Sequence, residues 1–241
     1  MSETHAIHSH SPSGNASKPP RLADYAKQKS ESLAVPANSG LPQDELFQLP
    51  EFKLDLGFFI EKGDQPLTVE MLLNKVFGDS AKTLTEPEQL YVLLTAMKDL
   101  EVVAPVEVQC EHCEATNPVA CSLVESMKTA GASKSHFFIG YKDYILEFVR
   151  PAELIDLSHV TSPMANIGMF MIQWLDAHNQ GPDFDILKMP FADFIEIARL
   201  FAEKMFSVKF QTTFKCAKCK KKSESRFAVA MQDVVNILNE L

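Results

Sequence analysis

Glycine is scarce in this chain, nine residues in 241, and its scarcity narrows the chemistry. There is no glycine-rich phosphate loop, no dinucleotide-binding glycine fingerprint and no nucleophile elbow. The common backbone cradles for nucleotides and acyl groups are therefore missing. No stretch approaches the roughly eighteen uninterrupted apolar residues that would suggest a bilayer span. The amino terminus, Met1-Ser2-Glu3-Thr4-His5, lacks the basic and apolar regions of a secretion signal, so a cytoplasmic protein is expected. Positive charge is in deficit. Lys and Arg number 23 against 32 Asp and Glu, for a formal net charge of −9 and a pI near 5.3. That balance disfavours nucleic acid and anionic membrane as partners.

Cysteine is also sparse, five in all, but four of the five form a pattern. Cys110-Glu111-His112-Cys113 and Cys216-Ala217-Lys218-Cys219 are two CxxC pairs separated by residues 114–215. Together they supply four thiolates, the ligand set of a closed tetrahedral zinc site. A closed site has no open position for substrate, so the metal would be structural. The flanks suit the pairing. Val106–Gln109 alternates up to Cys110, and Phe210–Lys215 is β-prone up to Cys216. After each pair a polar turn leads back into β-prone sequence, Val119–Leu123 and Arg226–Val229. Strand, CxxC, strand is the reading for both, and two such hairpins closing on one ion form a zinc ribbon. A redox CxxC should open a helix within a βαβ pattern, and neither does. Disulfides fit poorly with an odd thiol count and no secretion signal. An iron–sulfur centre is the weaker metal alternative. Cys121 reads as a small buried strand residue, and His112 as solvent-facing rather than a fifth ligand.

Along the chain the expected fold class is α+β: zinc-ribbon-like β-hairpins with a helical insertion between the two CxxC knuckles and a disordered N-terminal arm. Residues 1–45 are rich in Ser, Pro, Asn and Lys without apolar periodicity, which predicts the arm. His5, His8 and His10 read as part of that solvated tail. A single zinc-stapled domain is expected over 46–241. Phe52, Leu54 and Leu56 alternate toward Gly63-Asp64 as a strand. Thr68 to Gly78 reads as a short helix. A second helix starts at Thr85, with Glu88 three residues on as a capping box and Leu90, Leu93, Leu94 and Met97 at helical spacing. Ser135–Phe148 reads as a strand pair continuing the sheet and ended by Pro151. A helix from Ser162-Pro163 should bury Met164, Ile167, Met171, Ile172 and Leu175. After a turn at Asn179–Pro182, another from Pro190 should place Phe191, Phe194, Ile195, Ala198, Phe201 and Met205 on one face. Val234, Val235 and Leu238 mark a last helix. Met169–Ile172 are consecutively apolar, so the third helix should be buried on several sides, here or against another subunit.

No catalytic constellation accompanies these elements, and no enzyme is expected. Glu86, Glu88 and Asp99 read as caps and exposed faces. Asp183-Phe184-Asp185 lacks the rest of a calcium loop. His136, His159 and His178 have no evident nucleophile partner. Lys215, Lys218, Lys220, Lys221, Lys222 and Arg226 make the second knuckle basic. That supports a zinc-ribbon nucleic-acid-binding or transcription-associated protein as the alternative reading. The local explanation is that a four-thiolate zinc site carries about two negative charges, which lysines offset.

Three segments in succession carry a resemblance. LTEPEQLYVLLTAMKDLEVVAPVEVQCEHC is a helix and a strand ending in a knuckle. FIGYKDYILEFVRPAELIDL is a strand pair ending at Arg150-Pro151. FADFIEIARLFAEKMFSVKFQTTFKCAKCKKKSESRFAVAMQDVVNIL is a helix, a second knuckle and a closing helix. This layout, with Cys110, Cys113, Arg150, Pro151, Cys216 and Cys219, resembles the baseplate hub and hub-assembly proteins of T-even-type tailed phages. It spans roughly residues 84 to 240 by layout and cysteine spacing, and the amino-terminal third departs from it. The resemblance implies a non-enzymatic structural or assembly component of a contractile-tail baseplate, with structural zinc. Its partners would be other baseplate and tail proteins, or further copies of itself in a homo-oligomer. It would act in the cytoplasm of an infected bacterium or within the finished particle.

Overall fold

A computed structural model describes residues 44–52, 65–100, 102–142, 144–155, 157, 160–175 and 185–240. All belong to one compact unit, Gly40–Leu241. The expected arm through residue 43, the strand at Leu54 and Leu56, and the turn at Asn179–Pro182 lie outside the described residues. So do His5, His8, His10, His159 and His178.

Helix α1 (Val69–Phe77) begins where Thr68 Oγ1 accepts the Met71 N–H at 3.1 Å. It stops at Gly78, whose φ of 52° glycine tolerates. Helix α2 (Glu86–Ala96) begins with the Thr85 N–H donating to Glu88 Oε2 at 2.8 Å, the carboxylate half of a capping box. Strand β1 (Val103–Gln109) pairs antiparallel with β2 (Thr116–Ser122). Each carries a proline, Pro105 and Pro118, as suits strands that each keep an unpaired edge. One helical turn, α3 (Leu123–Ser126), leads to β3 (Met127–Ala130). β3 pairs with β6 (Ser207–Lys215), which pairs with β7 (Lys222–Phe227), so this sheet runs β3-β6-β7. Gly131 lets β3 approach the next segment, because a Cβ there would lie 2.6 Å from the Met205 carbonyl oxygen.

The strand pair at Ser135–Phe148 forms, as β4 (His136–Tyr141) and β5 (Tyr144–Val149), but it does not continue a sheet. Among the described residues the two strands ladder only with each other, apart from one isolated bridge of Phe148 to Leu175. Phe137, Phe138, Ile139 and Tyr141 are all buried, so β4 is covered on its faces rather than extended at its edge.

Two apolar cores result. In one, Leu72 and Phe77 of α1 and Leu90, Leu93 and Leu94 of α2 meet Val234, Val235 and Leu238 of α6 (Met231–Glu240). Asn239 ties the two ends together, accepting from Leu67 N–H at 2.7 Å and donating to Leu67 O at 3.0 Å. The other core is aromatic. Phe137 stacks on Phe148 at 5.3 Å, and both meet Phe201 of α5 (Phe191–Lys204). Trp174 of α4 (Pro163–Trp174) closes it. Gly168 permits the contact of α4 with α5, since a Cβ would lie 2.8 Å from the Phe194 ring.

Here the helical expectations need correction. Met164 is 43% exposed, Ile172 42% and Phe191 71%. Among the described residues of α4, Gly168, Met171 and Trp174 form the buried stripe, facing α5 and the β4–β5 pair. On α5 the buried face includes Ile197, with Ala198 and Phe201.

Glu88 is not an exposed cap. It is buried with Arg150, whose guanidinium donates to it at 2.9 and 2.6 Å. Arg150 also donates to Ser133 Oγ, Thr83 O and Lys134 O. Its plane lies over the Phe47 ring at 4.0 Å and near the Trp174 ring at 5.0 Å. Phe47 belongs to the first core and Trp174 to the second, so this pair fastens the two together. Burial pushes the Glu88 carboxyl up, but the bonds from Arg150, Ser133 and Thr85 outweigh it and hold it below its usual 4.5.

Removing one partner strands the other charge in the interior. Arg150→Met or Glu88→Gln is expected to lower stability by about 3–5 kcal/mol in urea melts, and the double change E88L/R150M by less than the two singles together. The Glu88 contribution should be present above the ordinary carboxylate range and fade as pH falls through the lowered folded value.

Candidate metal centre

Both CxxC pairs sit in turns joining paired strands, the first between β1 and β2, the second between β6 and β7. The two turns are built alike, position for position. Cys110 N–H donates to Ala115 O at 3.0 Å, and Cys216 N–H to Lys221 O at 2.9 Å. Glu114 N–H donates to Cys110 O, and Lys220 N–H to Cys216 O. Glu114 and Lys220 both have positive φ, 57° and 64°. This left-handed step four residues after the first cysteine turns the chain back so that both sulfurs of a pair face one point. Two residues before each first cysteine stand Val108 and Phe214, both buried in one small cluster with Cys110 and Cys216.

The four sulfurs, Cys110, Cys113, Cys216 and Cys219, lie within 4.8 Å of one another. Cys110 Sγ is 3.6 Å from Cys219 Sγ, and Cys113 Sγ 3.6 Å from Cys216 Sγ. A tetrahedron with metal–sulfur bonds of about 2.3 Å has sulfur–sulfur edges of roughly 3.8 Å. The four residues fit a single metal ion, and with four thiolates no position remains for substrate. The structure therefore brings the four predicted ligand residues together, and all four come from one chain.

The thiols are tuned unequally. The Cys219 amide draws the Cys216 thiol down to about 6, against burial, with the Lys218 amide assisting. Burial raises Cys110, but the His112 amide, the Cys219 sulfur and the Ser223 hydroxyl outweigh it and lower the thiol. Cys219 goes the other way. The Lys221 amide lowers it, yet burial and the other three sulfurs push it up to about 11. Cys110, Cys216 and Cys219 are thus tuned against one another, and a metal must displace the protons they hold.

His112 stands outside the sulfur cluster. Its ring is partly exposed, and Nε2 lies 3.1 Å from the Lys222 carbonyl oxygen. Cys121 is buried in β2 and stands outside the sulfur cluster. Lys215, Lys218, Lys220, Lys221, Lys222 and Arg226 are all exposed. Phe214 is buried in the apolar cluster around the cysteines and Phe227 is half-buried against it, facing inward.

Two residues that sequence reasoning missed complete the centre. Asn117 Oδ1 accepts the Ala217 N–H at 2.8 Å, and Ser223 Oγ accepts the Glu111 N–H at 3.0 Å. Both side chains cross from one hairpin to the opposite turn. The signal was present, since counting from the first cysteine of each pair puts Asn117 and Ser223 at the same offset.

No family model matches this chain, and no curated protein or solved structure matches it. No described helix is long and apolar enough to cross a membrane.

Because metal and protons compete for the same sulfurs, binding of a thiophilic divalent ion should release protons in weakly buffered solution. Affinity should fall as pH drops, most steeply below about 6, where Cys216 is also protonated. Titrations from about pH 5 to about 8 read this directly; a flat profile would contradict competition between metal and protons at the site.

Proposed function

We propose that the centre is a structural zinc site and that the chain is a non-enzymatic assembly component of the baseplate hub of a contractile phage tail. The observation that carries the metal reading is the convergence of four sulfurs on one point with no open position. The lysines around the second knuckle suit it, because a four-thiolate zinc site carries about two negative charges. The tail reading rests on the layout of helix, knuckle, strand pair, helix and second knuckle. It is supported by apolar side chains left in solvent, Met169 and Ile172 of α4, Phe191 of α5 and Ile155, which suit packing into a larger assembly. In this reading the protein works in the cytoplasm of an infected bacterium, its partners are other baseplate and tail proteins or further copies of itself, and the finished particle can retain it.

Native mass spectrometry of the purified chain should give one zinc per chain. Cys110→Ser or Cys216→Ser should lose the metal, unfold the domain and abolish baseplate assembly when supplied in place of the wild-type protein during infection. Normal particle yield with either variant would overturn the assembly reading.

A second reading has its own observation, the six exposed cations on the second knuckle and its strands. A zinc-ribbon nucleic-acid-binding or transcription-associated protein would use them on phosphates. It predicts salt-dependent DNA or RNA binding that K220E/K221E/K222E abolishes without loss of zinc. The assembly reading predicts no such binding.

A further inference from the structure

Two of the hydrogen bonds that cross between the knuckles, those accepted by Asn117 and Ser223, are related by an internal symmetry; His112 Nε2 near Lys222 O and Glu224 N–H to Glu111 Oε1 cross as well, without such a match. Residue Asn117 lies seven positions after Cys110, and Ser223 seven after Cys216. Each sits on the strand leaving its knuckle, in register with the residue two before the first cysteine: Val108 opposite Asn117, Phe214 opposite Ser223. Each accepts the N–H of the residue that follows the first cysteine of the other pair, Ala217 or Glu111. The close sulfur contacts obey the same exchange, first cysteine of one pair to second cysteine of the other. A local two-fold axis through the centre of the four sulfurs relates all of these.

Both side chains are nearly inaccessible, 4% for Asn117 and 1% for Ser223, although each is polar. A buried polar group without a partner is costly, and these two find theirs across the junction. Asn117 uses its second function locally, donating from Nδ2 to Ala115 O at 2.7 Å, and so braces its own turn while holding the other. Within each hairpin the backbone ladder fixes the spacing of two sulfurs. Neither ladder fixes one turn against the other. The crossing bonds of Asn117 and Ser223 act on that placement one residue away from a predicted ligand on each side, alongside the shared packing of Val108 and Phe214.

We propose that Asn117 and Ser223 are a matched pair of positioning residues, each holding the opposite knuckle in the orientation the metal requires. This rests on the reading of the centre as a metal site. Groups that orient ligands in this way change metal affinity by about 10- to 100-fold when removed. Each acts on the knuckle it does not belong to, so the effect of a substitution appears in the other hairpin.

The test uses the full chain loaded with zinc, with cobalt(II) as a spectroscopic substitute. Asn117→Ala and Ser223→Ala should each retain one metal per chain but release zinc to excess chelator about 10-fold faster or more than wild type. Their cobalt d–d bands should shift or broaden. Amide exchange should show the crossover: N117A loses protection at Ala217, S223A at Glu111. Ser223→Thr keeps the accepting hydroxyl and should restore slow release, which separates positioning from general destabilisation. Wild-type release rates and unchanged exchange in both alanine variants, with wild type holding one zinc, would overturn the pairing and leave the metal site standing. A wild-type chain that binds no metal would overturn both. Loss of protection confined to the hairpin carrying the substitution would overturn the cross-knuckle role.

Discussion

Four sulfur atoms drawn from two distant turns can meet only if both hairpins are held face to face, and this requirement organises the chain. β1–β2 and β6–β7 must lie against each other, so residues 114–215 have to leave the junction and return to it. They do so as α3, β3, the β4–β5 pair and the helices α4 and α5. β3 helps the return by pairing with β6. The apolar cluster around the site contains four buried residues, two of them cysteines. So small a cluster buries little area at about 25 cal/mol per Å². In the proposed reading, metal coordination provides most of what holds the two turns together, as it does in small domains with insufficient cores.

Away from the sulfurs the tie is of another kind. The Glu88–Arg150 pair lies between a helical core and an aromatic one, and its guanidinium is shared between a carboxylate, backbone carbonyls and two ring faces. A buried pair of this type contributes little net stability compared with a well-packed apolar substitute. Its value lies in directionality. Hydrogen bonds at fixed angles from Arg150 to Thr83, Ser133 and Lys134 allow one relative placement of α2 and the end of β5, whereas apolar contacts alone tolerate several.

How much of this the sequence displays depends on how local each signal is. The cysteine turns are legible because spacing, β-prone flanks and polar turn residues all lie within a dozen positions. The caps at Thr68 and Thr85 are legible for the same reason. β3 is not, because Lys128 and Thr129 face solvent and nothing but pairing with β6 makes the segment a strand. Nor is the solvent exposure of Met164, Ile172 and Phe191, since an apolar run shows that a helix has no polar face but not what covers it. Arg150 stands out beside Pro151 without any indication that its partner is a helix-capping glutamate. Asn117 and Ser223 look like ordinary strand polars until the two knuckles are aligned.

The distance in sequence between the knuckles also has a consequence in time. Cys110 and Cys113 leave the ribosome before Cys216 and Cys219 exist. At about 5–20 residues per second, the intervening hundred or so residues take about 5–20 s to synthesise. Throughout that interval the first pair of cysteines has no second half to close on. It is open to oxidants and to any soft metal ion. In the proposed zinc reading, such a nascent chain needs its first two thiols kept reduced until the second pair is made.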